Sequence, residues 1–400
     1  MMRAGSGLAR HRDPVEAGLE AGLMARERLG DEAADVCLVF AAAMGPEGAH
    51  GVLHAVRRAT GARGVVGCSG AGVLTEQGEC EEAALEHDEA AVAVLALRSD
   101  EVCVSPFLVD ETEGLGGAAG TVAGGRAFEG TGGRGLVVTL PDARQLEPRE
   151  ILRGIREAGG PMPVVGGVAA GGRLFELYNS EVVEGAMAGF AISGRRPVIG
   201  VAQGCEPIGE PFVITRGDGS VVREIAGRRA LDVLREALAT VPGGEARAQR
   251  IGLFAGLAID PAKSPLERGD FLVRQLVGAD PGSGAVALAD TVSVGQTIQF
   301  QVRDARAASQ DLAQTLDGVR AALGARRPGF GVYFNCAGRG RGLFGAADHD
   351  VRLIRERLGD FPLAGFFGNG EFAPVGGRNF FHTYTGVLVV VPETAESGAA

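Results

Sequence analysis

VVGCSGAG, residues 65–72, ends an apolar stretch on a run of small residues, and two later stretches share its outline. VVGGVAAG fills 164–171 and LAGFFGNG fills 363–370; in each, two apolar-type positions precede a glycine, and a second glycine follows five residues later. The flanks repeat as well. DVCLVFAAAM (35–44) and the amphipathic GAHGVLHAVRRATG come before the first copy, and EAAVAVLAL (89–97) follows it. GLVVTLP (135–141), PREILRGIREAGG and GAMAGFAI (185–192) frame the second; GVYFNCAG (331–338), DVRLIRERLGD and TGVLVVV (385–391) frame the third. Apolar runs bounded by glycine read as strands, and segments with apolar positions three and four apart read as helices.

The chain therefore carries three copies of a strand, helix, glycine-rich strand-turn, strand unit. Their spacing is too long and uneven for a solenoid, so the expectation is an α/β (α+β) protein with two domains of mixed β-sheets layered with helices. Between the second and third copies, residues 199–225 read as β-rich with a GDG turn. A helix presenting Leu231, Val233, Leu234 and Leu238 on one face follows, and then four short strands. Glycine and proline near 194–198 suggest a boundary. The expected divisions are a helical lead-in over 1–30, an N-terminal domain over 31–197, a C-terminal domain over 198–392 and a disordered tail over 393–400.

Of 400 residues, 46% are apolar and 22% charged, a composition that suits packed cores. The 65 glycines follow no triplet period and point to turns and close backbone approaches. A net charge of −11 argues against nucleic acid as a partner. No apolar run approaches the length of a spanning helix and the first twenty residues lack a signal-like apolar core, so the expectation is a cytoplasmic protein without membrane insertion. Six cysteines without CxxC spacing read as free thiols rather than a zinc site.

FNCAGRGRGLFG, residues 334–345, holds the densest chemistry. Gly340, Gly342 and Gly345 spell a dinucleotide fingerprint, but AADHD separates the last of them from the next helix and no acidic residue stands where a ribose would need one. Cys336 ends an apolar strand beside Arg339 and Arg341, whose charges favour a thiolate and suit a bound carboxylate or phosphate. The plainer reading is a buried cysteine beside solvated arginines. Glu371 follows Phe366, Phe367 and Gly370 in a glycine turn, where it suits a ligand ammonium or a helix cap. His382 shares a strand face with Phe380 and Tyr384, as a packed histidine or a haem ligand would. GCSGA (67–71) approaches a nucleophile elbow at Ser69, but Ala71 replaces its last glycine and no amphipathic helix follows. Asp348 and Asp350 read as a helix cap and a dipole partner.

With these residues laid out, the chain resembles the FIST family of sensory and ligand-binding proteins. The N-terminal likeness runs from Val36 to Gly194 and rests on VVGCSGAGVL, VVGGVAAGG and LYNSEVVEGAMAGFAISG. The C-terminal one runs from Val198 to Pro392, on AQGCEPIGEPFVITRGDGSVVREIAGRRALDVL, YFNCAGRGRGLFG and GFFGNGEFAPVGGRNFFHTYTGVLVV.

The resemblance implies a non-catalytic module for signal transduction that binds a small molecule, amino acids being the usual suggestion. Some members are haem proteins proposed to sense nitric oxide and to act on a histidine kinase. The two halves fill the chain, so a separate signalling protein is the expected partner. Carried over by position, the residues are Gly67, Cys68, Ser69, Gly166, Gly167, Cys336, Arg339, Arg341, Gly370, Glu371, Pro374 and His382. In the expected pocket an arginine takes a carboxylate, Glu371 an ammonium, and Phe366 and Phe367 an apolar side chain. No cofactor and no metal is expected; haem on His382 is one alternative, and an enzyme using Cys336 is another.

Overall fold

A computed structural model describes residues 2–86, 88–109, 135–142, 147–243 and 252–393. The first repeat runs β1 (Met2–His11), helix Pro14–Leu29, β2 (Val36–Ala42), helix Pro46–Thr60 and β3 (Gly64–Ser69), then the hairpin β4 (Gly72–Thr75) and β5 (Gly78–Glu81), and β6 (Ala90–Ser99). The second has β7 (Cys103–Val109), β8 (Leu136–Pro141), helix Pro148–Gly159, β9 (Val164–Gly167), the hairpin β10 (Glu176–Tyr178) and β11 (Glu181–Val183), and β12 (Met187–Ser193). A third begins with β13 (Val198–Gln203).

A second compact unit, Ala202–Leu312 with His382–Tyr384, then interrupts the third repeat. It contains β14 (Cys205–Pro207), β15 (Phe212–Asp218), β16 (Val221–Ile225), β17 (Arg228–Arg229), helix Ala230–Ala239, β18 (Leu253–Ala258), β19 (Phe271–Asp280), β20 (Ala285–Leu288) and β21 (Thr297–Arg303). β21 pairs with β14 and β15 and also with β18, which joins the two ends of the sheet. Leu231, Val233, Leu234 and Leu238 of the helix pack on Ile214, Val286 and Phe300.

The third repeat resumes with helix Ala305–Leu323, β22 (Pro328–Cys336), a short helix Gly340–Phe344, helix His349–Leu358 and β23 (Leu363–Gly368). The hairpin β24 (Glu371–Val375) and β25 (Arg378–His382) follows, and then β26 (Thr385–Pro392). The residues expected as one domain over 198–392 are thus shared between the two units, because 313–381 and 385–393 group with the first.

The repeats build three six-stranded sheets, ordered β1-β6-β2-β3-β10-β11, β7-β12-β8-β9-β24-β25 and β13-β26-β22-β23-β4-β5. β2/β3, β8/β9 and β22/β23 are the parallel pairs. Each hairpin leaves its own repeat's sheet. The first repeat's lies on the third's sheet, the second's on the first's, and the third's on the second's. The crossing turns are the three glycine-rich stretches, and they bond in a ring: Ala71 N donates to Phe367 O (2.9 Å), Asn369 N to Val168 O (3.0 Å) and Ala170 N to Ser69 O (3.2 Å).

The shared glycine has one cause in all three copies. A β-carbon at Gly67, Gly166 or Gly365 would stand 1.7, 1.9 and 1.9 Å from the carbonyl oxygens of Val39, Thr139 and Tyr333 on the parallel neighbour. The inner faces enclose one apolar core, with Phe40 and Leu95, Leu140 and Phe190, and Phe334 and Val389 from the three sheets in turn. Each such side chain is worth about 1.5–3 kcal/mol when buried.

One correction concerns the opening residues. The lead-in over 1–30 is helical only from Pro14; residues 2–11 form β1, paired with β6 from Met2↔Ser99 to His11↔Ala90. MRAGSGLARH has no β-branched residue, so the sheet edge of β6 decides its conformation rather than local preference. Residues 394–400 of the expected tail lie outside the described residues.

Candidate functional site

Side chains alternate along a strand, so Tyr333 and Asn335 of β22 point to one face while Phe334 and Cys336 point to the other. Phe334 enters the central core, whereas the Tyr333 hydroxyl reaches the helix His349–Leu358 and donates to Asp350 Oδ2 at 2.9 Å. Each face thereby carries a buried polar cluster at the carboxyl end of the strand, the end where ligands collect in sheets with parallel neighbours.

On the helix-covered face, Arg339 Nε and Nη2 donate to Asp350 Oδ2 and Oδ1 at 2.8 and 3.2 Å. His349 Nδ1 lies 2.9 Å from Asp350 Oδ1, and its ring stacks on Phe344 at 3.6 Å, with the Arg339 guanidinium 5.5 Å above the Phe344 ring. Burial pushes the Asp350 carboxyl up, but Arg339 and His349 outweigh it and hold it well below the usual carboxylate range. Burial, reinforced by Asp350, pushes Tyr333 well up. Asn335 is fully buried beside this cluster, and among the described residues neither its amide oxygen nor its amide nitrogen finds a partner.

On the core-facing side, Glu371 is also fully buried. Its Oε2 accepts from Thr385 Oγ1 at 2.6 Å and from Thr385 N at 3.2 Å, and the Cys336 thiol bonds to the same carboxyl. Burial pushes Glu371 up to about 8, against the hydrogen bonds of Thr385, the charge of Arg339 and the bond from Cys336. Burial thus favours the protonated acid over the carboxylate.

The structure thus brings Cys336, Arg339 and Glu371 to one strand end. Arg341 is exposed and contributes only its backbone N–H, to Glu81 Oε1 at 2.7 Å. Gly67 lies in β3 and Gly166 in β9, while Gly370 lies in the crossing turn, where its O accepts from Val168 N at 2.9 Å. Ser69 is tied up structurally, its Oγ accepting from Phe175 N at 3.3 Å. Cys68 is in the central core, its thiol pushed well up by burial and by Glu176. Phe366 is in that core too, stacked on Phe40 at 5.0 Å, and Gly167 leaves the space its ring fills. Phe367 is buried and Pro374 half-buried in β24. His382, 1% exposed, ends β25. A haem at His382 would require that side chain to be uncovered.

Asp348 differs from its expected role. It has a left-handed backbone (φ 59°), and its side chain makes no helix-capping bond. The carboxylate that caps is Glu79 of β5, whose Oε1 accepts from Val351 N at 3.1 Å, while Asp348 Oδ1 accepts from Glu79 N at 2.6 Å. Glu79 and Thr385 carried no local signal, because both arrive from other segments of the chain. Asn335 sits inside the quoted FNCAG motif, but only its burial marks it out. The open cavity lined by Met2, Val36, Leu97 and Phe330, about 560 Å³, does not reach these clusters.

Family profiles match the chain twice, a FIST N domain over residues 35–228 and a FIST C domain over 230–374. The uncharacterized protein Mb0898c of Mycobacterium bovis is 35% identical over 404 residues, which cover 99% of this chain and all of that one. The uncharacterized protein MT0656 of Mycobacterium tuberculosis is 34% identical over 395 residues, 97% and 99% of the two chains. Among solved structures, a cyanuric acid hydrolase from A. caulinodans aligns over 48% of this chain and 71% of its own, at 10% identity and a TM-score of 0.26. PurLQS from Thermotoga maritima aligns over 98% and 73%, at 9% and 0.21. Scores this low bear on neither fold nor activity.

Proposed function

This chain belongs to the FIST family, which is associated with sensing in signal transduction, and from that premise we propose a small-molecule receptor without catalysis. Its ligand is an amino acid or a related small carboxylic acid, and its output passes to a separate signalling protein. The observation that carries the reading is Asn335, a buried amide with both polar atoms unpartnered among the described residues. Such a group costs about 1–3 kcal/mol, which a ligand offering one donor and one acceptor returns. An α-amino acid offers both.

The protonated Glu371 supplies a donor for a ligand carboxylate, and it becomes a counter-ion if an ammonium approaches. Arg339 is engaged with Asp350 and acts on the ligand as a fixed charge behind the site. The same protonation argues against a cysteine enzyme. A nucleophilic thiol needs a base or a lowered pKa, and burial pushes the carboxyl beside Cys336 toward its protonated form.

The test is thermal unfolding against amino acids, small carboxylates and haemin, since a ligand at a hundred times its Kd adds about 2.7 kcal/mol. The expected result is a shift with one amino-acid class that disappears in Asn335→Leu. A shift that survives this substitution, or none with any compound, overturns the reading; a Soret band after haemin uptake replaces it with the haem alternative.

A further inference from the structure

The β4–β5 hairpin, lent by the first repeat to the third repeat's sheet, covers the loop that carries Arg339. Its ladder to that sheet is short: Val73, Leu74 and Thr75 pair with Phe366, Gly365 and Ala364, and β5 is the free edge. Three polar contacts fasten β5 to residues 341–351: Glu81 to Arg341 N, Glu79 N to Asp348, and Glu79 Oε1 to Val351 N. Those residues include Phe344, His349 and Asp350, the outer wall of the cluster around Arg339.

Glu79 is the weak point of this fastening. Its Oε2 is shut off from solvent, and among the described residues it has no partner. The charged groups facing it are acids: Asp350 from the helix, Asp348 from the loop and Glu81 from its own strand. The neighbouring basic side chains are committed elsewhere, since Arg339 and His349 are bonded to Asp350 and the Arg341 side chain is exposed. Cys80 on the same strand is a half-buried thiol, and Glu76 at the hairpin turn binds Ser6 and Arg28.

We propose that the hairpin is a proton-held latch over the Asn335–Arg339 cluster, closed while Glu79 keeps its proton and released when Glu79 gives that proton to solvent. The latch stands on these contacts alone; its role as the ligand's gate rests on the function proposed above.

The sign follows from linkage. Burial first, then Asp350, pushes Glu79 up to about 8 in the closed form, while an opened, hydrated Glu79 returns to the ordinary range near 4.5. Closure therefore takes up a proton. Between those two values the open form gains up to about tenfold per pH unit, with no further gain above the upper one.

Hydrogen–deuterium exchange on the full chain between pH 5.5 and 8.5, corrected for intrinsic exchange, reads the opening of residues 72–82 and 338–351. Wild type is expected to open at least about tenfold more at pH 8 than at pH 6, and Glu79→Gln to stay flat. A flat wild-type curve, or Glu79→Gln tracking wild type, overturns the latch; if Glu79→Gln does not fold, the wild-type curve decides alone. No ligand enters this experiment, so its failure is distinct from failure of the ligand reading.

Discussion

Arg339 holds Asp350 through two hydrogen bonds of 2.8 and 3.2 Å, with neither side chain exposed. The pair is a structural unit, because each charge is tolerated in the interior only beside the other. Arg339→Ala removes the main counter-charge of buried Asp350, leaving it only the bonds of Tyr333 and His349, and is expected to cost about 3–5 kcal/mol in denaturant unfolding. Loss of ligand binding in that variant would report loss of the fold. A cost below about 1 kcal/mol would show that the carboxylate is reached by water.

Gly67, Gly166 and Gly365 are expected to be equally intolerant of alanine. A methyl group would overlap a carbonyl oxygen of the parallel strand in each copy, with backbone on both sides and nothing flexible to yield. Each substitution should cost more than about 3 kcal/mol or prevent folding. Gly278→Ala, where a β-carbon meets nothing within 4 Å, should fall within about 0.5 kcal/mol of wild type. Comparable denaturation midpoints for Gly166→Ala and Gly278→Ala would refute the packing argument.

Glu371 makes stability depend on pH in the sense opposite to an ion-paired acid. Its folded value, about 8, lies above the ordinary value of 4.5, so the folded state keeps a proton that the unfolded state releases. Stability should therefore fall as pH rises from about 4.5 to about 8, by up to about 1.4 kcal/mol per unit. Glu371→Gln should flatten the Glu371 part of that slope while leaving the Glu79 part. Asp350, held low, acts the other way and loses its contribution as pH drops below the ordinary carboxylate range. Unfolding curves at five pH values for both proteins check this.

Asn335→Leu should separate stability from recognition. Replacing a buried amide that is unpartnered among the described residues by an apolar side chain of similar size removes a desolvation cost, so the melting temperature should stay level or rise. Ligand-induced stabilisation should vanish at the same time. A drop in melting temperature equivalent to about 2 kcal/mol would mean that the amide is already satisfied, by ordered water for example.

Native-state alkylation should rank the thiols by burial. Cys103 is exposed and should react first. Cys37, pushed up to about 12 by burial, and Cys68, pushed well up, should stay protected until unfolding. Fast modification of Cys336 ahead of Cys103, mapped by mass spectrometry, would revive a nucleophilic role.

The sequence by itself determined the repeat, its strands and helices, and its obligatory glycines. Each is a local consequence of residue type: apolar spacing sets the element, and only glycine survives against a neighbouring carbonyl oxygen. It also marked Cys336, Arg339 and Glu371, since a polar residue at the end of an apolar strand is conspicuous. Tertiary structure alone decided that each hairpin crosses to another repeat's sheet, because three edges with similar backbone ladders carry no local preference, and the crossing is accompanied by the ring of turns and by core packing such as that of Val73. It likewise gave Arg339 its partner in Asp350, made Glu79 rather than Asp348 the cap, and buried Asn335 with no partner among the described residues. Burial and through-space charge depend on segments far apart in the chain, and no local pattern encodes them.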